Sequence, residues 1–171
     1  TIRIPIAWSN MMVQEKQSDG STYYRINEAY FDRVEEVINY CLNEEMYVII
    51  NDHWDGQWWG MFGDADLSVR AQAWKKYEDM WTQIANRYID YSDRLIFEGA
   101  NEELGERLND NWKGTGGTKG VLTRKETYAL TNEINQKFVD IIRKSGINAD
   151  GTKNNNYYRM LLIPGYDTNL H

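Results

Sequence analysis

Asn101 and Glu102 form the residue pair in this sequence that is best suited to acid–base chemistry. They follow the short apolar run Leu95-Ile96-Phe97, which predicts a buried strand. In a barrel of alternating strands and helices, catalytic side chains lie at the carboxyl ends of the strands. A glutamate shielded from water there has a raised pKa and can act as a general acid, while an adjacent asparagine can bind a substrate hydroxyl.

Arg3 is a charged residue inside the first apolar run, Ile2–Ala7. Because an unpaired buried charge is costly, this arginine needs a partner of opposite charge. We expect Arg3 to hold a carboxylate or to lower the pKa of that group. A purely structural ion pair is the alternative interpretation.

His53 follows the second apolar run, in the stretch Asn51–Asp55. It could donate a hydrogen bond to a sugar hydroxyl or to a catalytic carboxylate, although a lone histidine is more often structural. Metal ligation is not expected, because the only other histidine is His171 at the end of the sequence and no ligand spacing is present.

Tryptophan and tyrosine are unusually abundant, with seven and twelve residues. A small core does not need so many, and an indole ring packs well on the C–H face of a sugar. Trp54, Trp58 and Trp59 crowd one predicted loop, and Trp112 follows the third strand. We expect these four residues to contact sugar, although Trp112 could instead cover the core.

The hydrophobic pattern predicts alternating strands and helices. Near-continuous apolar runs, typical of strands buried on both faces, occur at Ile2–Ala7, Tyr47–Asn51, Leu95–Glu98 and Met160–Gly165. Between them, apolar residues recur at spacings of three and four, which predicts three helices. The third opens with Thr123 and Glu126, a predicted capping box. This order predicts a parallel sheet with right-handed crossovers.

Long segments follow the second and third strands, at residues 51–67 and 101–122, and such loops at the carboxyl ends are typical of (β/α)8 barrels. A complete barrel has about 250 residues, whereas this sequence has 171. We therefore predict a single α/β domain over residues 1–171 that supplies half of a barrel. A small doubly wound sheet is the alternative, but the glycines at 114–117 do not join a strand to a helix as a phosphate loop would.

Composition excludes several classes of protein. The net charge is −7 and the basic residues are scattered, which argues against nucleic acid and anionic membranes as partners. The single cysteine, Cys41, excludes an internal disulfide and lies on the apolar face of a predicted helix. No apolar run reaches the length of about 18 residues expected of a membrane-spanning helix. No signal peptide is recognisable, as expected of a mature or trimmed segment.

Four motifs, in this order, resemble glycoside hydrolase family 5, and in particular its endo-β-1,4-glucanases and xyloglucanases. They are Thr1–Trp8, Tyr47–Asp55, Leu95–Glu102 and Leu161–Tyr166. The resemblance covers essentially the whole sequence. It implies the (β/α)8 fold, of which these segments match the second to fifth strands.

The resemblance implies a retaining double displacement on a β-1,4-linked polysaccharide such as β-glucan, cellulose or xyloglucan. Glu102 matches the general acid/base and Arg3 the arginine that supports the nucleophile. His53 matches the active-site histidine, and Asn101 the asparagine that contacts the sugar 2-hydroxyl. No cofactor is implied, because two carboxylates suffice for this chemistry. A secreted, periplasmic or cell-surface location is expected, since polymeric substrates are met outside the cell.

The sequence departs from the family pattern in several places, among them Ser145–Asn148, which replaces the usual Gly-Gly-Asn-Asn before the fifth strand and is followed by an insertion through Asn156. Glu103 stands where many members have proline, and Trp54 stands where many have a second histidine. The family nucleophile follows the seventh strand, so we expect it outside this chain. A second chain or segment could complete the barrel. A noncatalytic, carbohydrate-binding half-barrel is the alternative function.

Overall fold

Ten helices and strands are found in the computed structural model, which describes residues 1–55 and 57–168. In chain order they are β1 (Ile2–Ile4), β2 (Met12–Lys16), β3 (Thr22–Ile26), α1 (Glu28–Asn43), β4 (Val48–Asn51), α2 (Leu67–Arg87), β5 (Leu95–Glu98), α3 (Arg124–Ser145), α4 (Asn155–Tyr158) and β6 (Leu161–Leu162). Short 3-10 turns occur between several of these elements.

A parallel sheet in the order β1-β4-β5-β6 lies at the centre of the fold. The prediction of four parallel strands separated by helices is therefore confirmed. The first and last strands are shorter than predicted, since β1 ends at Ile4 and β6 at Leu162. Pro5 and Pro164 follow within two residues, and a proline has no N–H group with which to continue a ladder.

The register of the sheet determines which side chains point toward the candidate functional site, because alternate residues of a strand point to opposite faces. Ile50 and Phe97 are register partners; both are fully buried, and Phe97 packs on helix α2. The next pair, Asn51 and Glu98, therefore points away from the helices. Arg3 shares that face, since its neighbour Ile4 is the register partner of Ile50.

Aromatic packing joins β5 to the two long helices. Trp81 of α2 has its ring centroid 4.6 Å from that of Phe138 on α3 and 5.9 Å from that of Phe97 on β5. All three side chains are fully buried. Cys41 is partly buried and packs against the same core, as its place on the apolar face of α1 predicts.

Side chains cap the amino ends of the helices. The predicted capping box of α3 is confirmed, since Thr123 N donates to Glu126 Oε2 (2.7 Å) and Glu126 N donates to Thr123 Oγ1 (3.3 Å). Asn27 and Asp66 cap α1 and α2 through their side-chain oxygens. Among the helices of the described ranges, none is both long and apolar enough to cross a membrane.

A hairpin formed by β2 and β3 was not predicted. The two strands pair antiparallel after β1, and the outer edge of β3 is covered by helix α2. Tyr24 N donates to Asp79 Oδ2 and Ile26 N donates to Gln83 Oε1, both at 3.0 Å. These polar side chains replace a neighbouring strand. Hydrophobic periodicity misses β2 because most of its residues are exposed to solvent.

Candidate active site

A cavity of about 620 Å³ opens where β1, β4 and β5 end. Six of the eight predicted site residues line it: Arg3, His53, Trp54, Asn101, Glu102 and Trp112. They come from segments far apart in the sequence, and the parallel sheet brings them together because its strands end at one edge. We call this cavity the cleft.

Arg3 binds the carboxylate of Glu98 with two parallel hydrogen bonds. Nε donates to Glu98 Oε2 (2.7 Å) and Nη2 donates to Oε1 (3.0 Å). The partner that was predicted for Arg3 is thus Glu98, the last residue of β5, and this bond raises the pKa of Arg3. Arg3 Nη2 also donates to Asn101 Oδ1 (2.7 Å). The side-chain amide of Asn101 is therefore oriented with its oxygen on Arg3 and its Nδ2 group available as a donor.

His53 is held as a neutral imidazole. Its Nδ1 atom lies 3.4 Å from both Arg3 Nη1 and Asn51 Nδ2. A guanidinium group can only donate, so Nδ1 is the acceptor and the proton is on Nε2. Burial, and then the positive charge of Arg3, lower the pKa of His53. The cleft thus contains an N–H donor that is uncharged at neutral pH.

Trp54 is the most exposed aromatic side chain at the cleft. Trp54 is 80% exposed, and its backbone φ is +53°, a left-handed conformation that bulky residues rarely adopt. The indole meets the His53 ring edge to face, with centroids 5.2 Å apart. The unusual backbone holds an apolar ring in solvent, where a sugar can reach it.

Trp58 and Trp59 do not line the cleft, and the prediction that they contact sugar is wrong. They are 5% and 0% exposed, and their rings stack with centroids 4.8 Å apart. Both rings pack on Phe62, and Trp59 Nε1 donates to the buried Asp52 Oδ2 (3.2 Å). Removing two indoles from water stabilises the fold, so this part of the loop folds into the core.

Trp112 lines the cleft but is half-buried. The Arg107 guanidinium carbon lies 4.1 Å from its ring centroid, in cation–π geometry. The Gly114 backbone approaches the same ring so closely that a Cβ atom at this position would come within 2.0 Å of it. Glycine at 114 therefore permits the loop to close on the indole.

Glu102 and Glu103 differ sharply in exposure. Glu102 is exposed on the cleft within this chain, which supplies only part of the barrel. Glu103 also lines the cleft but is only 8% exposed, and its Oε2 accepts a hydrogen bond from Asn101 N (2.9 Å). Burial raises the pKa of Glu103 to about 7, and the nearby Asp55 and Glu102 carboxylates contribute. The desolvated carboxyl group is thus one residue further along than predicted.

Two buried aspartates support the loop that carries His53. Asp55 is 2% exposed and accepts hydrogen bonds from the Ser9 backbone N (2.6 Å) and hydroxyl. Asp52 is fully buried, and this burial, together with Asp55, raises the pKa of Asp52 well above its ordinary value. Lys76 is the cation whose charge opposes that rise.

Asp167 lines the far side of the cleft and was not predicted. Its backbone N donates to Leu104 O (2.8 Å), and its Oδ1 accepts from Glu106 N (3.0 Å). It thereby ties the segment after β6 to the segment that follows Glu102. Its sequence neighbourhood contains no pattern that marks it, because the contact joins two loops that are distant in the chain. Within residues 1–55 and 57–168, no three His, Cys, Asp or Glu side chains are grouped so as to hold a metal ion.

Comparisons with known proteins agree on one family. A family model described as Cellulase (glycosyl hydrolase family 5) matches residues 1–171. The chain is 34% identical over 169 residues to the xyloglucan-specific endo-β-1,4-glucanase BoGH5A of Bacteroides ovatus, covering 99% of this chain and 28% of that protein. It is 32% identical over 176 residues to endoglucanase A of Paenibacillus barcinonensis, covering 99% and 37%.

Solved structures show the same fold. A trimodular GH5_4 subfamily endoglucanase superposes with a TM-score of 0.75 and 30% identity, covering 98% of this chain and 26% of that one. A family 5 lichenase from Caldicellulosiruptor sp. F32 superposes with a TM-score of 0.71 and 30% identity, covering 96% and 39%. These neighbours are (β/α)8 barrels, which confirms that the four parallel strands are part of such a barrel. The chain spans only 28% and 37% of the length of the two curated relatives.

Proposed function

This chain belongs to glycosyl hydrolase family 5, and we propose that the complete protein is a retaining endo-glycosidase that hydrolyses a β-1,4-linked polysaccharide by double displacement. The arrangement that carries the proposal is the Asn101–Glu102 pair at the carboxyl end of β5, facing a cleft that also contains Arg3, His53 and Trp54. Glu102 is the general acid that protonates the glycosidic oxygen and then the base that activates water.

The other cleft residues bind the sugar. Asn101 Nδ2 is free of Arg3 and donates to the 2-hydroxyl, while the His53 Nε2–H group donates to a neighbouring hydroxyl. The exposed indole of Trp54 and the partly exposed one of Trp112 stack on sugar rings. Neutral donors suit this task because they bind uncharged hydroxyl groups without placing a net charge beside the glycosidic bond.

The nucleophile is a carboxylate supplied by the part of the protein beyond this chain. In a retaining enzyme its carboxyl group stands about 5–5.5 Å from that of the acid/base. Arg3 supports it: the side chain is 37% exposed, and Nη1 has only the long contact of 3.4 Å with His53. A carboxylate arriving from the remaining strands can therefore bond to this guanidinium.

The substrate class is proposed from the relatives together with the cleft. The names of the relatives refer to xyloglucan, to endoglucanases and to a lichenase, and that lichenase is also described in a complex with cellotetraose. A soluble β-glucan or xyloglucan is thus the proposed substrate, met outside the cell. The proposed reaction needs only two carboxylates.

The decisive experiment measures reducing ends released by the full-length protein from carboxymethylcellulose, xyloglucan, xylan and mannan. We expect Glu102→Gln to lower kcat by about 10²–10⁴-fold on the preferred polymer, because the general acid is lost. Binding of the polymer should persist. Asp110→Asn removes one exposed charge from the same loop and serves as the control.

Full activity in Glu102→Gln would refute the assignment of the acid/base. Binding without hydrolysis by the unmodified protein would instead favour the noncatalytic, carbohydrate-binding half-barrel. In that case the binding would rest on the aromatic and hydrogen-bonding residues of the cleft, which lie within this chain.

A further inference from the structure

Glu103 places a second carboxyl group directly after the proposed acid/base. The side chain is only 8% exposed, although it lines the same cleft as Glu102. The mechanism with two carboxylates, an acid/base and a nucleophile, assigns no role to Glu103. Burying a carboxyl group is costly unless it is bonded or serves a purpose, so its contacts need an explanation.

The carboxyl group of Glu103 reaches backward along its own chain. Glu103 Oε2 accepts a hydrogen bond from Asn101 N at 2.9 Å, and the backbone carbonyl of Glu103 accepts one from Gly105 N at 3.0 Å. Two hydrogen bonds therefore hold Asn101. Its backbone N donates to the side chain of Glu103, and its side-chain oxygen accepts from Arg3. Glu102 lies between the two residues that this hydrogen bond joins, so the bond fixes the backbone from which the acid/base projects.

Charged groups face Glu103 from three parts of the fold. They are Arg3 from β1, Asp52 and Asp55 from the segment after β4, and Glu102 and Arg107 from its own loop. Burial raises the pKa of Glu103 to about 7, the hydrogen bonds from backbone N–H groups oppose the rise, and Asp55 and Glu102 add to it. The carboxyl group therefore changes its charge near neutrality.

We propose that Glu103 is a positioning residue that orients the Asn101–Glu102 turn through its hydrogen bond with Asn101 N. The inference rests on the proposed role of Glu102 as the acid/base. An ionised carboxylate is a stronger acceptor than a neutral carboxyl group, so this hydrogen bond strengthens as Glu103 loses its proton. The pH profile of hydrolysis should therefore contain a step that reports the ionisation of Glu103.

Two substitutions in the full-length protein separate position from charge. Glu103→Gln keeps an acceptor for Asn101 N but removes the charge, whereas Glu103→Leu removes both. We expect both variants to lose the change in kcat/KM near pH 7 that accompanies ionisation of Glu103. Only Glu103→Leu should also lower kcat, by about tenfold, with little change in KM. Asp110→Asn should leave the profile unchanged.

A pH profile of Glu103→Gln that coincides with that of the unmodified protein would overturn the proposal, because a merely structural glutamate predicts that result. A second measurement does not need activity: the amide resonance of Asn101 in asparagine-labelled protein, followed between pH 5 and 9. It should move with a midpoint near 7 and become flat in Glu103→Gln. An Asn101 resonance that does not titrate in the unmodified protein also overturns the proposal.

The two measurements distinguish this inference from the proposed function. If the unmodified protein hydrolyses none of the four polysaccharides, the proposed function fails. The Asn101 titration then still decides whether Glu103 senses pH at this turn. If Glu103→Gln is inactive at every pH, the same titration still tests whether the Glu103 carboxyl group bonds to Asn101 N.

Discussion

Arg3 and Glu98 form a two-point ion pair across 95 residues of sequence, with Nε and Nη2 each bonded to one carboxylate oxygen. The pair joins the second residue of β1 to the last residue of β5, with β4 between them. Arg3 also orients the side chain of Asn101, whose Oδ1 accepts a hydrogen bond from the same guanidinium at 2.7 Å. The amino end of this chain thus orients the residue that precedes the proposed acid/base.

Replacing Arg3 with lysine should impair catalysis more than its charge suggests. A lysine keeps the positive charge but cannot bond Glu98 through two parallel bonds and Asn101 at once. We expect kcat/KM on a soluble β-glucan to fall about 100-fold, as misplacement of site residues commonly produces. Arg25→Lys, in an exposed ion pair with Glu15, should leave it unchanged. Equal activities of the two variants would contradict the orienting role of Arg3.

Azide offers a direct test of Glu102. In the Glu102→Ala variant of the full-length protein, the proposed mechanism still forms a glycosyl-enzyme from a substrate with a good leaving group, but no base remains to activate water. Azide needs no base and should attack the anomeric carbon, displacing the enzyme carboxylate. We expect the rate to rise with azide and the product to be a glycosyl azide of retained configuration, identified by NMR. Glu106→Ala, from an exposed position nearby, should be as active as the unmodified protein and form no azide product.

Trp54 and Trp59 should respond oppositely to substitution, although they lie in one loop. Trp54→Ala removes a ring that is 80% exposed, so we expect weaker polysaccharide binding, about tenfold in Kd, and unchanged stability. Trp59→Ala empties a fully buried site and should lower the free energy of unfolding by about 3–5 kcal/mol. Affinity electrophoresis and urea denaturation measure the two effects. A Trp59→Ala protein of normal stability would contradict the buried position.

His53 should titrate below its ordinary pKa of about 6.5. Burial and the charge of Arg3 disfavour the imidazolium form, so the folded protein binds a proton less readily than the unfolded chain. The contribution of His53 to stability is thus fully present above pH 6.5 and is lost as the pH falls through the lowered pKa. NMR titration of the ring should show the low midpoint. In Arg3→Met the midpoint should rise, and a fall there would contradict the assigned cause.

Arg159 should be a major contributor to stability. It is 1% exposed, and its five N–H groups bond to oxygens of Tyr88, Tyr91, Ser92, Leu95 and Asn156. It joins the end of α2 to β5. Arg159→Met leaves several buried carbonyl groups without partners, so we expect a loss of about 3–5 kcal/mol in the free energy of unfolding. Arg33→Met, at an exposed site, should lose less than about 0.5 kcal/mol. Urea denaturation compares the two.

Local features of the fold were predictable from the sequence. The strand Leu95–Glu98 has the predicted bounds, and the capping box at Thr123 and Glu126 is present. Both depend on neighbouring residues, through an apolar run and a four-residue hydrogen-bonding pattern. The hairpin β2–β3 was missed because most residues of β2 are exposed to solvent, and because its edge is satisfied by Asp79 and Gln83, more than 50 residues away in the sequence.

The candidate site divides in the same way. The sequence alone predicts that Arg3, His53, Asn101 and Glu102 lie close together, because residues at the ends of parallel strands share one edge of the sheet. The burial of Trp58 and Trp59 beside the exposed Trp54 follows from the folded structure and from no local pattern. The burial of Glu103 follows from it in the same way. The reason is that burial depends on which distant side chains cover a residue, and the type of that residue does not encode it.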